Sequence, residues 1–213
     1  MNSRLWSSLN WLKHHNSLAA AISLKYRGAL KEDGWFRSVC ENAPVDAAGQ
    51  PIPWISYPAL HFLETRTRPD MEVFEFGSGY STLWWATRVK KVIACESDAS
   101  WHAQVQKLAP KNVELVLSAI DEYPGIIARR PEAFDVVVID GGDRVRAAES
   151  AVAALNRSGV ILWDNTDRPE YQRGLELLRE QGFARIPFVG PGPVVNITWE
   201  TSIFYRSHNI LAI

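Results

Sequence analysis

Phe134-Asp-Val-Val-Val-Ile-Asp140 holds an apolar run, Val136–Ile139, closed by an acid, and it sets the fold class of this chain. A strand that alternates apolar and polar residues has one wet face. One that is apolar throughout is buried on both, as in a parallel sheet covered by helices. Similar short runs occur at 71–76, 91–96, 113–117 and 159–164. Each is followed by a helical pattern of roughly ten to fifteen residues, and repeated strand–helix units specify a parallel sheet with helices on both faces. The rhythm then breaks. A helix predicted at 169–181 stops at Gly182, a natural C-terminal cap. Two further strand candidates, 183–189 and 201–206, are joined through Gly190-Pro-Gly-Pro193 with no helix between them. Parallel neighbours need a long crossover, so this last pair is expected to be antiparallel.

Ahead of this α/β unit, residues 1–50 read as a helical N-terminal extension, a lid or an oligomer contact. It runs into a turn-rich linker, Glu41-Asn-Ala-Pro-Val-Asp-Ala-Ala-Gly-Gln-Pro-Ile-Pro53. Leu5, Leu9 and Leu12 recur at helical spacing after Ser3, the pattern of an amphipathic helix docked on the domain. Residues 51–213 form the second part.

Composition narrows the function classes. The 23 Lys+Arg against 24 Asp+Glu leave a net charge of −1, which provides no surplus for a phosphate-binding patch and argues against a nucleic-acid partner. The uncharged run 186–199 contains three prolines, and the apolar stretch 18–24 is far too short to span a membrane. Two cysteines, Cys40 and Cys95, cannot build a disulfide framework, so a cytoplasmic location is expected. Nine tryptophans, at 6, 11, 35, 54, 84, 85, 101, 163 and 199, exceed what bulk composition explains.

In a doubly wound sheet, ligands bind beyond the carboxyl ends of the strands. The first strand ends in Glu75-Phe-Gly77-Ser78-Gly79-Tyr-Ser81-Thr82 and runs straight into a helix. Glycines there let the backbone approach a ligand, and the start of a helix favours an anion. The second strand ends in Glu96, 19 residues after Gly77, placed to accept hydrogen bonds from both hydroxyls of a ribose. A glycine-rich turn with a spaced acid points to a nucleoside cofactor. A dinucleotide fingerprint would require a third glycine where Thr82 stands.

These residues resemble the class I S-adenosylmethionine-dependent methyltransferases. Glu75-Phe-Gly77-Ser-Gly79 is similar to their first motif, and Glu96 to the acid that ends their second strand. The resemblance spans roughly residues 52–206. It implies a Rossmann-like seven-stranded sheet, mostly parallel with a terminal antiparallel hairpin, and S-adenosylmethionine as cofactor. On that basis the cofactor-binding set is Tyr57, Glu75, Gly77, Ser78, Gly79, Ser81, Thr82, Glu96, Ser97, Ser118, Ala119 and Asp140. Ser118-Ala119 matches by position the family's adenine contact, and Trp54-Ile-Ser-Tyr57 the segment that closes over the cofactor.

A narrower resemblance is to the cation-dependent O-methyltransferases of the catechol and caffeoyl-CoA type. Strand four ends at Asp140, strand five at Asp164-Asn165, and Gly79-Tyr-Ser-Thr82 is also similar. The resemblance implies a divalent cation held by Asp140, Asp164 and Asn165. Two carboxylates and an amide oxygen form a hard-oxygen set suited to Mg²⁺ or Ca²⁺. The alternative is that Asp164-Asn165-Thr-Asp167 is an ordinary turn, with Asp167 and Glu170 as a capping box. Those enzymes carry a catalytic Lys where Asp143 stands here. Asp140 and Asp143 are the catalytic candidates, and Asp143 reads as a base, a further ligand, or a loop residue pairing with Arg144 or Arg146. The expected partner is a small-molecule acceptor, with a homo-oligomer also compatible.

Overall fold

A computed structural model describes residues 16–119, 121–130 and 133–213. Seven strands form one sheet in the order β3-β2-β1-β4-β5-β7-β6, with β1 Glu72–Phe76, β2 Lys91–Glu96, β3 Val113–Leu117, β4 Phe134–Ile139, β5 Leu155–Asp164, β6 Ala184–Pro191 and β7 Thr198–Tyr205. Strands β1 to β5 pair in parallel, and β7 runs antiparallel to both β5 and β6. This is the doubly wound sheet with a reversed terminal hairpin expected from the alternation of runs.

Side chains alternate across each strand, and the sequence serves both faces. Phe74, Phe76, Val137, Ile139, Ile161 and Trp163 point to one side, where they meet α7 (Arg144–Ala154) and α8 (Gln172–Glu180). Helix α7 presents Ala147, Ala148, Ala151 and Ala154, all fully buried, so it lies close against the strands. Val73, Val136, Val138, Val160 and Leu162 point to the other side. They pack on α4 (Tyr57–Glu64) through Leu60 and Leu63 and on α5 (Tyr80–Ala86) through Trp84 and Trp85. At roughly 1.5–3 kcal/mol per fully buried large side chain, these two layers supply the main driving force for the fold. Helix α6 (Ala99–Leu108) begins under an Asp98 cap whose carboxylate accepts from the amides of Ser100 and Trp101.

The structure differs from the sequence reading in local ways. Among the described residues no α-helix lies between β3 and β4. Two single 3₁₀ turns, Tyr123–Gly125 and Ile127–Arg129, make that crossover, with Tyr123 and Ile127 buried in the core. Strand β5 begins at Leu155, four residues ahead of its expected start, because Asn156–Gly159 continues the extended chain past a register shift against β4. The helix predicted at 169–181 opens with a 3₁₀ turn, Pro169–Tyr171, capped by Arg168 rather than by Asp167. In the N-terminal part, α1 is Ser17–Tyr26, α2 Ala29–Glu32 and α3 Trp35–Glu41. The leucine pattern at 5, 9 and 12, with Trp6 and Trp11, lies outside the described residues.

The expected linker 41–53 is packed rather than free. Val45 and Ile52 are buried, and Val45 bridges Pro51. Helix α3 is tied to the loop between β6 and β7, where Trp35 Nε1 donates to the Val195 carbonyl at 2.8 Å and Ser38 Oγ accepts from the Val194 amide at 3.0 Å. Among the described residues no helix is long and apolar enough to cross a membrane.

Candidate active site

Among the described residues three cavities open along the carboxyl edge of the sheet, and Asp140, at the end of β4, lines each. The smallest, about 260 Å³, is bordered by Trp54, Gly79, Tyr80 and Trp101, among others. Of the two larger ones, the first, about 380 Å³, is bordered by Glu75, Gly77, Ser78, Ser81, Glu96, Ser97, Tyr123 and Arg144, among others. The second, about 500 Å³, is walled by Trp54, Val195, Ile197 and Trp199, with Asp164, Asn165, Asp167 and Arg168 as its polar lining.

Gly77 makes the first cavity possible. Its φ is +97°, a conformation that L side chains rarely adopt, and a Cβ there would come within 3.2 Å of the Gly141 backbone. The turn's amides are already engaged. Gly77 N–H donates to the Cys95 carbonyl, Ser78 N–H to Glu96 Oε2, and Gly79 N–H to Thr82 Oγ1. The turn therefore contributes shape and a close backbone approach rather than free donors. Trp101 braces it from α6, its Nε1 donating to the Ser78 carbonyl at 2.6 Å.

The two acids of this cavity are in opposite situations. Glu96 is saturated: Oε1 accepts from the amides of Ser97 and Asp98 at 2.7 and 2.9 Å, and Oε2 from the Ser78 amide and hydroxyl at 3.1 Å. Glu75 is 1% exposed, and neither of its carboxylate oxygens has a hydrogen-bond partner. Burial pushes its carboxyl up to about 8. The nearby hydroxyls of Thr82 and Ser81 offset part of that rise without reaching hydrogen-bond geometry, and the charge of Asp140 adds to it. A buried carboxylate without a partner costs free energy that an incoming cation or donor would relieve.

At the ends of β4 and β5 the arrangement is closed. Asp164 is turned toward the hairpin, where Oδ1 accepts from Trp199 Nε1 at 2.8 Å and Thr201 Oγ1 at 2.5 Å. Burial and the neighbouring Asp140 raise its carboxyl above the ordinary range. Arg144 reaches back from the first turn of α7 into the space between the expected cation ligands. It donates to Asp140 Oδ1 at 3.0 Å, to Asn165 Oδ1 at 3.0 Å and to the Asp164 carbonyl at 2.5 Å. The three residues are brought together as the sequence implied, but around a guanidinium. A divalent cation takes oxygens at about 2.0–2.6 Å, six or more of them. Here the Asp164 carboxylate is held by Trp199 and Thr201, and one oxygen of Asp140 and the Asn165 amide oxygen already accept from Arg144, so as arranged the set does not fit a metal ion. Among the described residues no cluster of three or more His, Cys, Asp or Glu side chains would hold one.

The remaining candidates lie apart from the cavities. Asp143, φ +47°, pairs with Arg146 at 3.1 Å and lines neither cavity. Tyr57 is buried in the core beside Leu60, its ring stacked on His61. Ser118 is buried and Ala119 exposed, and both sit beyond β3 outside the first cavity's lining. Thr82 is buried and holds the turn through the Gly79 amide. Two residues of the site escaped the sequence reading. Tyr123 donates to the Cys95 carbonyl from a crossover read as helical, and Arg144 entered only as a partner for Asp143. The available signal was the spacing of Asp140 and Arg144, four residues apart across a helix start.

Residues 74–166 match the model of a methyltransferase domain. No curated protein matches the chain by sequence. Its fold is similar to precorrin-6y C5,15-methyltransferase from Geobacter metallireducens, with a TM-score of 0.57 and 16% identity over 70% of this chain and 87% of that one. It is similar to spermidine synthase from Thermotoga maritima, with a TM-score of 0.54 and 17% identity over 71% of this chain and 60% of that one. A Streptococcus mutans protein in complex with SAH aligns with a TM-score of 0.52 and 15% identity, over 71% of this chain and 99% of that one. At these identities the structural likeness shows the fold. The matched segment, 74–166, is that of a methyltransferase domain.

Proposed function

We propose that this chain transfers a methyl group from S-adenosylmethionine to a hydroxyl of a small molecule, with the first cavity holding the cofactor and the second the acceptor. The observation that carries the reading is Glu75, a fully buried carboxylate with both oxygens unpartnered at the wall of the first cavity. Such a group suits a ligand bearing an ammonium next to the Gly77 turn. S-adenosylmethionine, when bound, supplies a methyl group activated by its positively charged sulfur.

The chain's own part is mostly alignment, because an effective near-attack geometry is worth several kcal/mol of barrier. Gly77 lets the backbone approach the methionine end. Glu75 accepts from its ammonium, and Glu96 accepts from the ribose hydroxyls in place of the Ser78 hydroxyl. Asp140, shared by the two cavities, takes the proton of the acceptor hydroxyl as its oxygen bonds to the methyl carbon. This chain need supply no acid for a leaving group, since the cofactor would depart as a neutral thioether. Trp54 and Trp199 wall the acceptor side and suit a planar or apolar acceptor body. A divalent cation takes no part in this reading, since Asp140 and Asn165 are paired with Arg144 and the Asp164 carboxylate with Trp199 and Thr201.

Titration calorimetry with S-adenosylhomocysteine tests the assignment. Wild type is expected to bind it, and Glu96→Ala to lose tight binding. Wild type that ignores S-adenosylhomocysteine but is stabilised by NAD(H) would overturn the reading.

A further inference from the structure

We propose that Arg144 is the built-in cation of this site: its guanidinium takes the place of a divalent ion between Asp140, Asp164 and Asn165, and as a positioning residue it fixes the carboxylate that separates the two cavities. The proposal rests on the assignment of those cavities to cofactor and acceptor.

Geometry carries it. A guanidinium has five N–H donors in a rigid planar fork. All five are matched here, and every acceptor belongs to the loops ending β4 or β5. Nε donates to the Gly141 carbonyl at 3.0 Å, Nη1 to the Asp164 carbonyl and to Asn165 Oδ1, and Nη2 to the Asp140 carbonyl and to Asp140 Oδ1. The side chain is 10% exposed, and the Tyr171 ring lies 5.4 Å from Cζ. No donor is left for a substrate, so Arg144 acts through Asp140. Asp140 Oδ1 is turned to the guanidinium, and Oδ2 receives no hydrogen bond from the described residues. One oxygen is thus anchored while the other remains available at the junction.

A metal could enter only by displacing this fork. That would leave five buried donors unmatched and bring a second positive charge against a group that does not deprotonate. Both consequences disfavour the ion. The backbone is built for the arrangement: Asp143 at φ +47° and Asn165 at φ +60° turn the two loops so that their oxygens converge on the guanidinium. A carboxylate and an amide set at strand ends, the pattern of a hard-ion site, is here satisfied from within the chain.

Two measurements test this. The first is Mn²⁺ binding to wild type, followed by the electron paramagnetic resonance signal of the free ion. We expect the signal to be undiminished by protein, and millimolar Mg²⁺, Ca²⁺ or Mn²⁺ to leave the melting temperature unchanged. Mn²⁺ binding that Asp140→Asn abolishes would overturn the proposal. The second is S-adenosylhomocysteine affinity in Arg144→Ala and Arg144→Lys, with and without added guanidinium chloride at millimolar, non-denaturing concentration. We expect Arg144→Ala to bind about tenfold more weakly, the scale typical of groups that orient a site, and guanidinium but not ammonium to restore it. Unchanged affinity, or equal rescue by both ions, would overturn the positioning role. If Arg144→Ala does not fold, Arg144→Lys decides: its single ammonium cannot match five acceptors, and wild-type affinity in that variant counts against the proposal. Wild type that fails to bind S-adenosylhomocysteine breaks the methyltransferase reading instead, and the Mn²⁺ result still decides what occupies the Asp140 site.

Discussion

The ends of β1 and β2 and the ends of β4 and β5 meet at Asp140, yet they solve the problem of buried charge in opposite ways. On the first side, Glu75 is left with two unpartnered oxygens beneath a turn that only glycine fits. On the second, Asp140, Asp164 and Asn165 are each matched by Arg144, Trp199 or Thr201. An open acid is a demand for a ligand, whereas a matched one is part of the frame. The molecule thus keeps an unmatched acid on the β1–β2 side and a matched, rigid set on the β4–β5 side.

The largest effect is expected where recognition depends on backbone shape. Gly77→Val puts a branched side chain at φ +97° against the Gly141 backbone, and S-adenosylhomocysteine affinity measured by calorimetry should fall by about 100-fold. Affinity within a few-fold of wild type would remove the turn from the binding site.

Next is the frame. Asp164→Ala leaves the Trp199 indole and the Thr201 hydroxyl unmatched in a buried setting, at a cost of about 2 kcal/mol or more. Urea denaturation should show the loss, while the cofactor affinity of the folded fraction stays near wild type. A variant equally stable but unable to bind would reverse the roles of the two sides.

Glu75 provides a test by pH. Its carboxyl, pushed up to about 8, keeps a proton in the folded chain that the unfolded chain releases near 4.5. Between those values the native state binds more protons, so this group makes stability fall as pH rises. Glu75→Gln should flatten that dependence. A cation drawn beside Glu75 lowers its pKa, so binding of S-adenosylmethionine near neutral pH should expel a proton, and affinity should rise toward pH 8. Calorimetry in buffers of different ionisation enthalpy reads the proton directly, and a binding heat independent of buffer would refute the contact.

The smallest effect belongs to Asp143. Its ion pair with Arg146 lies at the surface, where such pairs contribute little, so Asp143→Ala should change stability by no more than about 0.5 kcal/mol and leave cofactor affinity untouched. Loss of cofactor affinity in that variant would return Asp143 to the site.

What the sequence made legible follows from this contrast. Strand runs such as Phe134–Ile139 and the glycine turn carry local signatures, periodicity and backbone necessity, so the sheet, its reversed hairpin and the first cavity were readable. The pairing of Arg144 with three loop ends is a tertiary fact. It depends on left-handed Asp143 and Asn165, which no periodicity announces, so the same residues read equally well as a metal site. The crossover after β3 reads as helical from the strand–helix alternation, whereas the chain there makes only single 3₁₀ turns.

The strand order β5-β7-β6 also bears on how the molecule is made. The strand that comes last in the chain is an inner one, inserted between two strands synthesised before it. Trp199 and Thr201, the partners of Asp164, arrive on that strand. During synthesis, the β1 to β5 layer can form as soon as its residues emerge, since domains begin to organise from the N-terminal side. The wall that Trp199 gives the second cavity cannot. A nascent chain will therefore shape the cavity beside Gly77 well before the cavity walled by Trp199 is complete.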